Sequence, residues 1–192
     1  MTATYIKEYE TVDLLLNSGA RTSGVDAFAL SLIKAERQMR KLVTHLVYQF
    51  PCFGPSDVPN LRKTLYDNRR VYFDGFENGF DALCPRSVSN LIGAEYQRLK
   101  LRVAEAIDCR NKLFHGQLTA RNLSHEDLLA YVGDIRDWCR GLADGAEAEI
   151  HYDGFGWNSF QKSSIPDLAK SFKIQLASLT DYEAFMRTYM QR

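Results

Sequence analysis

The feature that most constrains the fold is a long helical pattern between residues 25 and 50. Its apolar side chains recur at alternating spacings of three and four residues, which places them along one side of an α-helix. Pro51 follows directly and cannot continue the helix. The apolar stripe consists of Phe28, Leu32, Ala35, Met39, Leu42 and Leu46, and a polar face carries Ser31, Lys34, Gln38, Lys41 and His45. A helix of this kind must bury its stripe against other helices.

Further segments show the same period. A second long helix is predicted from about Ser87 to residue 113, and a third begins after Ser124, whose hydroxyl suits an N-cap, and continues to about Glu149. Shorter helices are predicted over residues 4–17, 61–67 and 180–191, the last with Thr180 or Asp181 as its N-cap. The sequence therefore predicts an all-α fold, built as a helical bundle.

The chain divides into a bundle over residues 1–150 and a C-terminal extension over 151–192 that packs on the same domain. Residues 151–160 are irregular and rich in glycine and aromatic side chains, which indicates a docked loop or a short hairpin, and leaves open a contact with RNA or a partner. Aromatic residues also cluster at positions 72–80. Such rings pack in a core or stack on nucleic-acid bases.

Composition limits the classes of function. The 24 basic and 24 acidic residues give a formal net charge of zero, which argues against a surface that coats nucleic acid, so any anion site must be local. The four cysteines form no Cys-x-x-Cys pair, and no zinc-ligand spacing is present. Without a signal-like start or a long apolar run, we expect a cytoplasmic protein with no membrane association, no metal and no cofactor.

The chemistry is concentrated in residues 110–116, which read RNKLFHG. Arg110 continues the apolar stripe of the second long helix, and a buried guanidinium there requires a carboxylate, a carbonyl or an anion. Asn111 and His115 lie one helical turn apart, whereas Arg110 and His115 point roughly 140° apart on an ideal helix. To act on one atom, they need a break at Gly116, a curved site or a second subunit.

Two charged residues interrupt an apolar line on the first long helix. Glu36 and Arg40 are spaced i,i+4, which is typical of a local ion pair at the edge of the core. They alternatively face a polar site built with the helix that carries Arg110. A purely structural alternative is also open, in which Arg110 pairs with Asp108 or Glu36 and His115 caps its helix.

Arg110, four intervening residues and His115, with Asn111 after the arginine and a long helix on each side, resemble the motif of the HEPN superfamily. The resemblance covers residues 25–148. It implies an up-and-down bundle of four or five helices that forms a homodimer, with two copies of the motif meeting in a composite cleft. Many members are metal-independent endoribonucleases of toxin–antitoxin or antiviral defence systems, while others only bind. One toxin branch carries a tyrosine where this chain has Gln117, so membership of that branch is not supported.

On this hypothesis, the 2′-hydroxyl of an RNA substrate attacks the adjacent phosphorus and leaves a 2′,3′-cyclic phosphate. His115 is the general acid and base, Arg110 clamps the phosphate, and Asn111 orients one of them. Lys112, Arg40 and Glu36 are predicted to bind the substrate or support Arg110, and an antitoxin or defence-system protein is an expected partner. The alternatives are a non-catalytic HEPN-like module that binds RNA, a nucleotide or a protein, and a helical interaction protein with no nucleic-acid role.

Overall fold

The computed structural model describes residues 1–68, 70–114, 123–156 and 158–191, with the side chains of residues 113 and 114 left aside. Its helices are α1 (Ala3–Leu16), α2 (Ser23–Tyr48), α3 (Val58–Asp67), α4 (Phe73–Leu83), α5 (Val88–Ile92), α6 (Tyr96–Phe114), α7 (His125–Ile150) and α8 (Leu179–Phe185). Short 3-10 turns lie at Pro55–Asp57, Gly93–Glu95 and Leu168–Ser171, and a π-helical turn at Met186–Met190. Within the described residues, extended pairing is limited to one isolated bridge between Val71 and Gln191. The fold is all-α, as predicted.

Helix α2 is the centre of the bundle and packs against α1, α4 and α7, while α7 also packs against α5 and α6. The apolar stripe predicted for α2 is buried along its whole length. On α7, Trp138 is fully buried, and its ring lies 5.8 Å from that of Tyr96 on α6. The periodic segments therefore meet through the faces that their sequences mark as apolar.

Most of the polar face of α2 is also buried, because α1, α7 and the segment after α7 cover Ser31, Lys34, Gln38 and His45, whereas Lys41 is half-buried. Lys34 donates to Glu8 of α1 at 2.9 Å. The amide of Gln38 donates to the carbonyls of Cys139 and Asp153, both at 3.0 Å. These hydrogen bonds compensate the desolvation of the donor groups, whereas the Oε1 of Gln38 is buried without a partner among the described residues. Helix α2 is therefore packed against protein on its polar face as well as on its apolar face.

Residues 151–156 and 158–160 lie in a docked loop and contain no strand. The buried carboxylate of Asp153 accepts from the backbone N–H groups of Phe155 at 2.9 Å and Gly156 at 3.0 Å. It also accepts from the Thr2 hydroxyl at 2.7 Å and from Thr4. These hydrogen bonds tie the loop to the start of α1.

Helix α4 was not expected from its sequence, which holds two glycines in an aromatic cluster. A Cβ on Gly75 would lie 2.1 Å from the Met190 carbonyl oxygen, and one on Gly79 would lie 2.8 Å from the Met190 side chain. The glycines allow the turn at Met186–Met190 to lie directly on α4. Tertiary contact thus overrides the low helix propensity of glycine.

Other boundaries differ from the predictions at specific residues. The second long helix is interrupted at Gly93, whose φ of 80° breaks the chain into α5 and α6. The last helix starts at Leu179 with Ser178 as N-cap, instead of Thr180 or Asp181, because the Ser178 hydroxyl accepts from the N–H of Asp181. The Ser124 N-cap of α7 is as predicted and forms a capping box with Asp127. Among the described helices, none has the length and apolar character needed to cross a bilayer.

Candidate functional site

A cleft of about 780 Å³ opens between α2, α3, α4 and α6, and the loop after α7 contributes to its rim. Each of these helices lines the cleft with residues three or four apart, so each presents one continuous face. The lining residues are Ile33, Glu36, Arg37, Arg40, Lys41 and Thr44 on α2; Arg62, Leu65 and Tyr66 on α3; Phe73 and Phe76 on α4; Ile107, Arg110 and Asn111 on α6; and Asn68, Val71, Tyr72, Ser159 and Phe160 between helices.

Arg110 is held on the wall of this cleft by two neighbours. Its Nη1 donates to Oε1 of Glu36 at 2.7 Å, and its Nη2 donates to Oδ1 of Asn111 at 3.0 Å. The Arg110 side chain is only 19% exposed. The acceptor that its position demands is therefore supplied by Glu36, across the gap between α6 and α2, whereas Asp108 pairs with Lys112 at 2.7 Å.

The predicted site residues separate into three groups. Glu36, Arg40, Arg110 and Asn111 all line the cleft. Lys112 does not contribute to its lining and forms an i,i+4 ion pair along α6. His115 and Gln117 lie outside the described residues, so the role assigned to His115 stays a prediction. Glu36 contacts Arg110 and not Arg40, so the two charged residues of α2 face a polar site shared with α6.

The lining of the cleft is strongly cationic. Five of its residues are basic, namely Arg37, Arg40, Lys41, Arg62 and Arg110, against one carboxylate, that of Glu36. A protein with zero formal net charge thus concentrates positive charge in one concave surface. A cleft lined by one sign of charge raises the local concentration of the opposite ion.

These cations are not equally available. Arg37 pairs with Glu8 at 3.3 Å, and Lys41 donates to the carbonyl oxygens of Phe155, at 3.2 Å, and Gly156. Burial, with the charge of Arg37, lowers the pKa of Lys41. Among the described carboxylates, none forms an ion pair with Arg40 or Arg62. The latter two are both exposed, so they are the side chains best placed to meet an incoming anion.

Aromatic rings are interleaved with the cations. The side chain of Tyr66 is 80% exposed and that of Tyr72 is 55% exposed, while Phe73 and Phe76 are half-buried. The Arg62 guanidinium lies over the Phe160 ring, 5.0 Å from its centroid. The sequence did not identify Arg62 or Tyr66, and it marked Phe160 only as part of the aromatic segment 151–160 that leaves open a contact with RNA. The i,i+4 spacing of Arg62 and Tyr66 on a short helix is a signal that they share one face.

The arrangement suits a ligand with negative charge and flat apolar groups. Guanidinium groups bind phosphate oxygens in a fork, and exposed rings stack on bases. Within residues 1–68, 70–114, 123–156 and 158–191, no three His, Cys, Asp or Glu side chains gather as a metal site would require.

Comparison with family models, with curated proteins and with solved structures found no match to this chain. Similarity therefore supports neither the HEPN resemblance nor another family. We argue function from the residues of the cleft itself.

Proposed function

We propose that the protein is a metal-independent endoribonuclease that binds RNA in the cationic cleft. One observation carries the proposal: Arg110, which belongs to the Arg-x4-His motif, lies on the wall of a concave surface with five basic residues and several aromatic rings. A phosphate bound beside Arg110 would have further cations on either side along the strand. The sequence predicted a polar site shared by Arg110, Glu36 and Arg40, but not the basic and aromatic side chains of α3 that also line it.

The donors of Arg110 fit the role of a phosphate clamp. A guanidinium has five N–H groups, and three donor atoms of Arg110 each make one hydrogen bond, to Glu36 or Asn111. Two N–H groups, one on each Nη, remain for phosphate oxygens. Because the other three are fixed, the guanidinium is already oriented before the ligand binds, which is what transition-state stabilisation requires.

The reaction we propose is attack of the RNA 2′-hydroxyl on the adjacent phosphorus. His115 takes the proton from that hydroxyl, the P–O5′ bond breaks, and the protonated His115 then donates that proton to the leaving 5′-oxygen. Arg110 stabilises the charge on the non-bridging oxygens, and Asn111 maintains its orientation. The products are a 2′,3′-cyclic phosphate and a 5′-hydroxyl, and no metal ion takes part in the step.

We further propose that the active form is a HEPN-like homodimer with a composite site. The support for a dimer is the resemblance of the Arg-x4-His motif to a family that pairs two copies of it. Leu101 is 66% exposed on α6, but it lies nine residues before Arg110 and therefore on the opposite side of the helix, so it does not mark the composite interface. Sedimentation velocity tests the proposal: the wild-type protein should sediment as a dimer, and a monomer rejects the composite site. From the same resemblance we propose a role in a toxin–antitoxin or antiviral system, with a neutralising partner protein.

End-labelled RNA incubated with the protein in EDTA tests the activity. We expect cleavage to 2′,3′-cyclic phosphate ends, a loss of about 10²- to 10⁴-fold in His115→Ala, and a loss of about 10²- to 10³-fold in Arg110→Ala. Arg86→Ala, which removes an arginine outside the cleft lining, serves as the control and should cleave like wild type. Activity that disappears on chelation contradicts the mechanism, and full activity in His115→Ala rejects the assigned base.

A second candidate is a non-catalytic RNA-binding module, and one observation favours it. The Glu36 carboxylate neutralises Arg110 at 2.7 Å, which weakens the pull of that guanidinium on a scissile phosphate. This candidate predicts retention of RNA without cleavage, and binding that does not change in His115→Ala. Cleavage and retention of RNA, measured for the wild type and for His115→Ala, therefore separate the two candidates.

A further inference from the structure

We propose that the cleft selects single-stranded RNA by stacking an unpaired base on Tyr66, while Arg62 and Arg40 hold the neighbouring phosphates. The choice of RNA as ligand rests on the proposed function, but cleavage is not required. The inference names a substrate class and a base-binding subsite that the Arg-x4-His motif does not specify.

The exposure of Tyr66 is the first step. Its side chain is 80% exposed, the largest fraction among the exposed large apolar side chains of the described residues. Tyrosine usually buries its ring because the ring is a large apolar surface. At the edge of a cationic cleft, an exposed ring offers a face on which any unpaired base can stack, and a base inside a duplex cannot reach it.

The second step is the position of Arg62 beside that ring. Arg62 and Tyr66 are i,i+4 neighbours on α3, and both line the cleft. The Arg62 guanidinium rests on the Phe160 ring, and Phe160 packs edge-to-face on Tyr48 with 5.7 Å between ring centroids. Because one face of the guanidinium is covered, its N–H edge is held ready for a phosphate next to the stacked base.

The third step links this subsite to Arg110. Arg40 projects from α2 one helical turn beyond Glu36, the partner of Arg110, and lines the same cleft. The basic side chains of α3, α2 and α6 therefore border a single concave surface together with the Tyr66 ring. A strand whose base stacks on Tyr66 has cations available for successive phosphates up to Arg110.

Fluorescence anisotropy with a short 2′-O-methyl oligonucleotide tests the subsite separately from cleavage, since that strand lacks the attacking 2′-hydroxyl. The wild-type protein should bind the single strand more tightly than its duplex and more tightly than an abasic strand of equal length. Tyr66→Ala should weaken binding of the single strand about tenfold and leave the abasic strand unaffected. Tyr66→Phe, which keeps the ring, should bind like wild type.

Tyr189→Ala is the matched control, because Tyr189 is an exposed tyrosine outside the cleft lining. A duplex preference, or equal binding by wild type and Tyr66→Ala, overturns the inference. Equal losses of the abasic and normal strands in Tyr66→Ala do the same, since they indicate a general disturbance of the cleft. Tyr66-dependent binding without cleavage of unmodified RNA rejects only the nuclease, and a wild-type protein that binds no RNA rejects both proposals.

Discussion

At the scale of single residues, Glu36 sets how much positive charge Arg110 presents to the cleft. It is the one carboxylate among the described lining residues, and its Oε1 lies 2.7 Å from Nη1 of Arg110. Glu36→Gln keeps an oxygen acceptor for Arg110 and removes the charge. We expect RNA affinity to rise about fivefold at low salt, because one charge near a phosphate is worth about 1 kcal/mol in a water-like medium. Anisotropy titrations measure the change.

Glu105→Gln is the control for that variant, because it removes an exposed carboxylate of α6 that does not line the cleft. Its affinity should match that of wild type. The gain in Glu36→Gln should shrink as salt screens the cleft. Weaker binding in Glu36→Gln would instead mean that the carboxylate positions Arg110 in a way that an amide cannot.

His45 gives a second prediction at this scale, concerning pH. Burial, with a contribution from Lys162, lowers the pKa of His45 to about 4, and its ring stacks on Tyr152 at 4.4 Å. The unfolded chain has the ordinary pKa of about 6.5, so it binds more protons between pH 6.5 and 4. The contribution of His45 to the free energy of unfolding is therefore fully present above pH 6.5. It decreases on acidification, by about 3 kcal/mol at pH 4.

Urea denaturation at several pH values isolates the effect by comparison with His45→Phe, which keeps a flat ring and cannot titrate. The variant should lose less stability than wild type between pH 6.5 and 4. His125→Gln, at an exposed position, should follow the wild-type profile. Parallel profiles for wild type and His45→Phe would show that His45 does not stay neutral in the folded protein.

The sequence predicted part of the candidate site at the residue scale. The place of Arg110 on an apolar stripe required an acceptor, and Glu36 is one of the two carboxylates that the sequence offered. Arg62, Tyr66 and Phe160 could not be connected to it, because their proximity depends on how α3 and the loop after α7 pack on α2. Those contacts are long-range, and no local period encodes them.

At the scale of elements, the contact between α4 and the turn at Met186–Met190 depends on Gly75. A Cβ there would lie 2.1 Å from the Met190 carbonyl oxygen, a backbone atom that cannot move independently. Alanine raises helix propensity by up to about 1 kcal/mol, but the forced displacement costs more. We expect Gly75→Ala to lower the free energy of unfolding by about 2 kcal/mol in urea denaturation.

Gly133→Ala provides the matched comparison on α7, since a Cβ there meets nothing within 4 Å. The effect of Gly133→Ala should then come from helix propensity alone, and the variant should be more stable than wild type by about 0.5–1 kcal/mol. We therefore expect the free energy of unfolding to decrease in Gly75→Ala and to increase in Gly133→Ala. Stabilisation by Gly75→Ala would show that the C-terminal turn does not rest on α4 in solution.

Elements with a strong local signal were predictable, and the others depend on contacts distant in sequence. The stripe of α2 and the Ser124 cap of α7 are encoded within a few turns, and both are found. Helix α4 was missed because its glycines disfavour an isolated helix, and only the packing of Met190 explains them. The break at Gly93 was missed because the apolar stripe continues across it.

At the scale of the whole molecule, charge balance and charge placement have different consequences. With 24 basic and 24 acidic residues, long-range attraction to a polyanion is weak. On the proposed function, the attraction for RNA comes from the cleft, where basic residues exceed acidic ones. The protein should therefore form a small number of phosphate contacts and show a modest dependence on salt, unlike a protein with a broadly basic surface.

The salt dependence of RNA binding gives the final prediction. For single strands, the logarithm of affinity falls with the logarithm of salt concentration with a slope of about −0.7 for each phosphate neutralised. Removing the two exposed cleft cations that form no ion pair with a described carboxylate, in Arg40→Ala/Arg62→Ala, should reduce the magnitude of the slope by about 1.4. Arg86→Ala/Lys170→Ala makes the same charge change with two basic residues outside the cleft lining, and should leave the slope unchanged. Equal slopes for the two double variants would mean that RNA binds over the whole surface of the protein, and they would reject the cleft as the binding site.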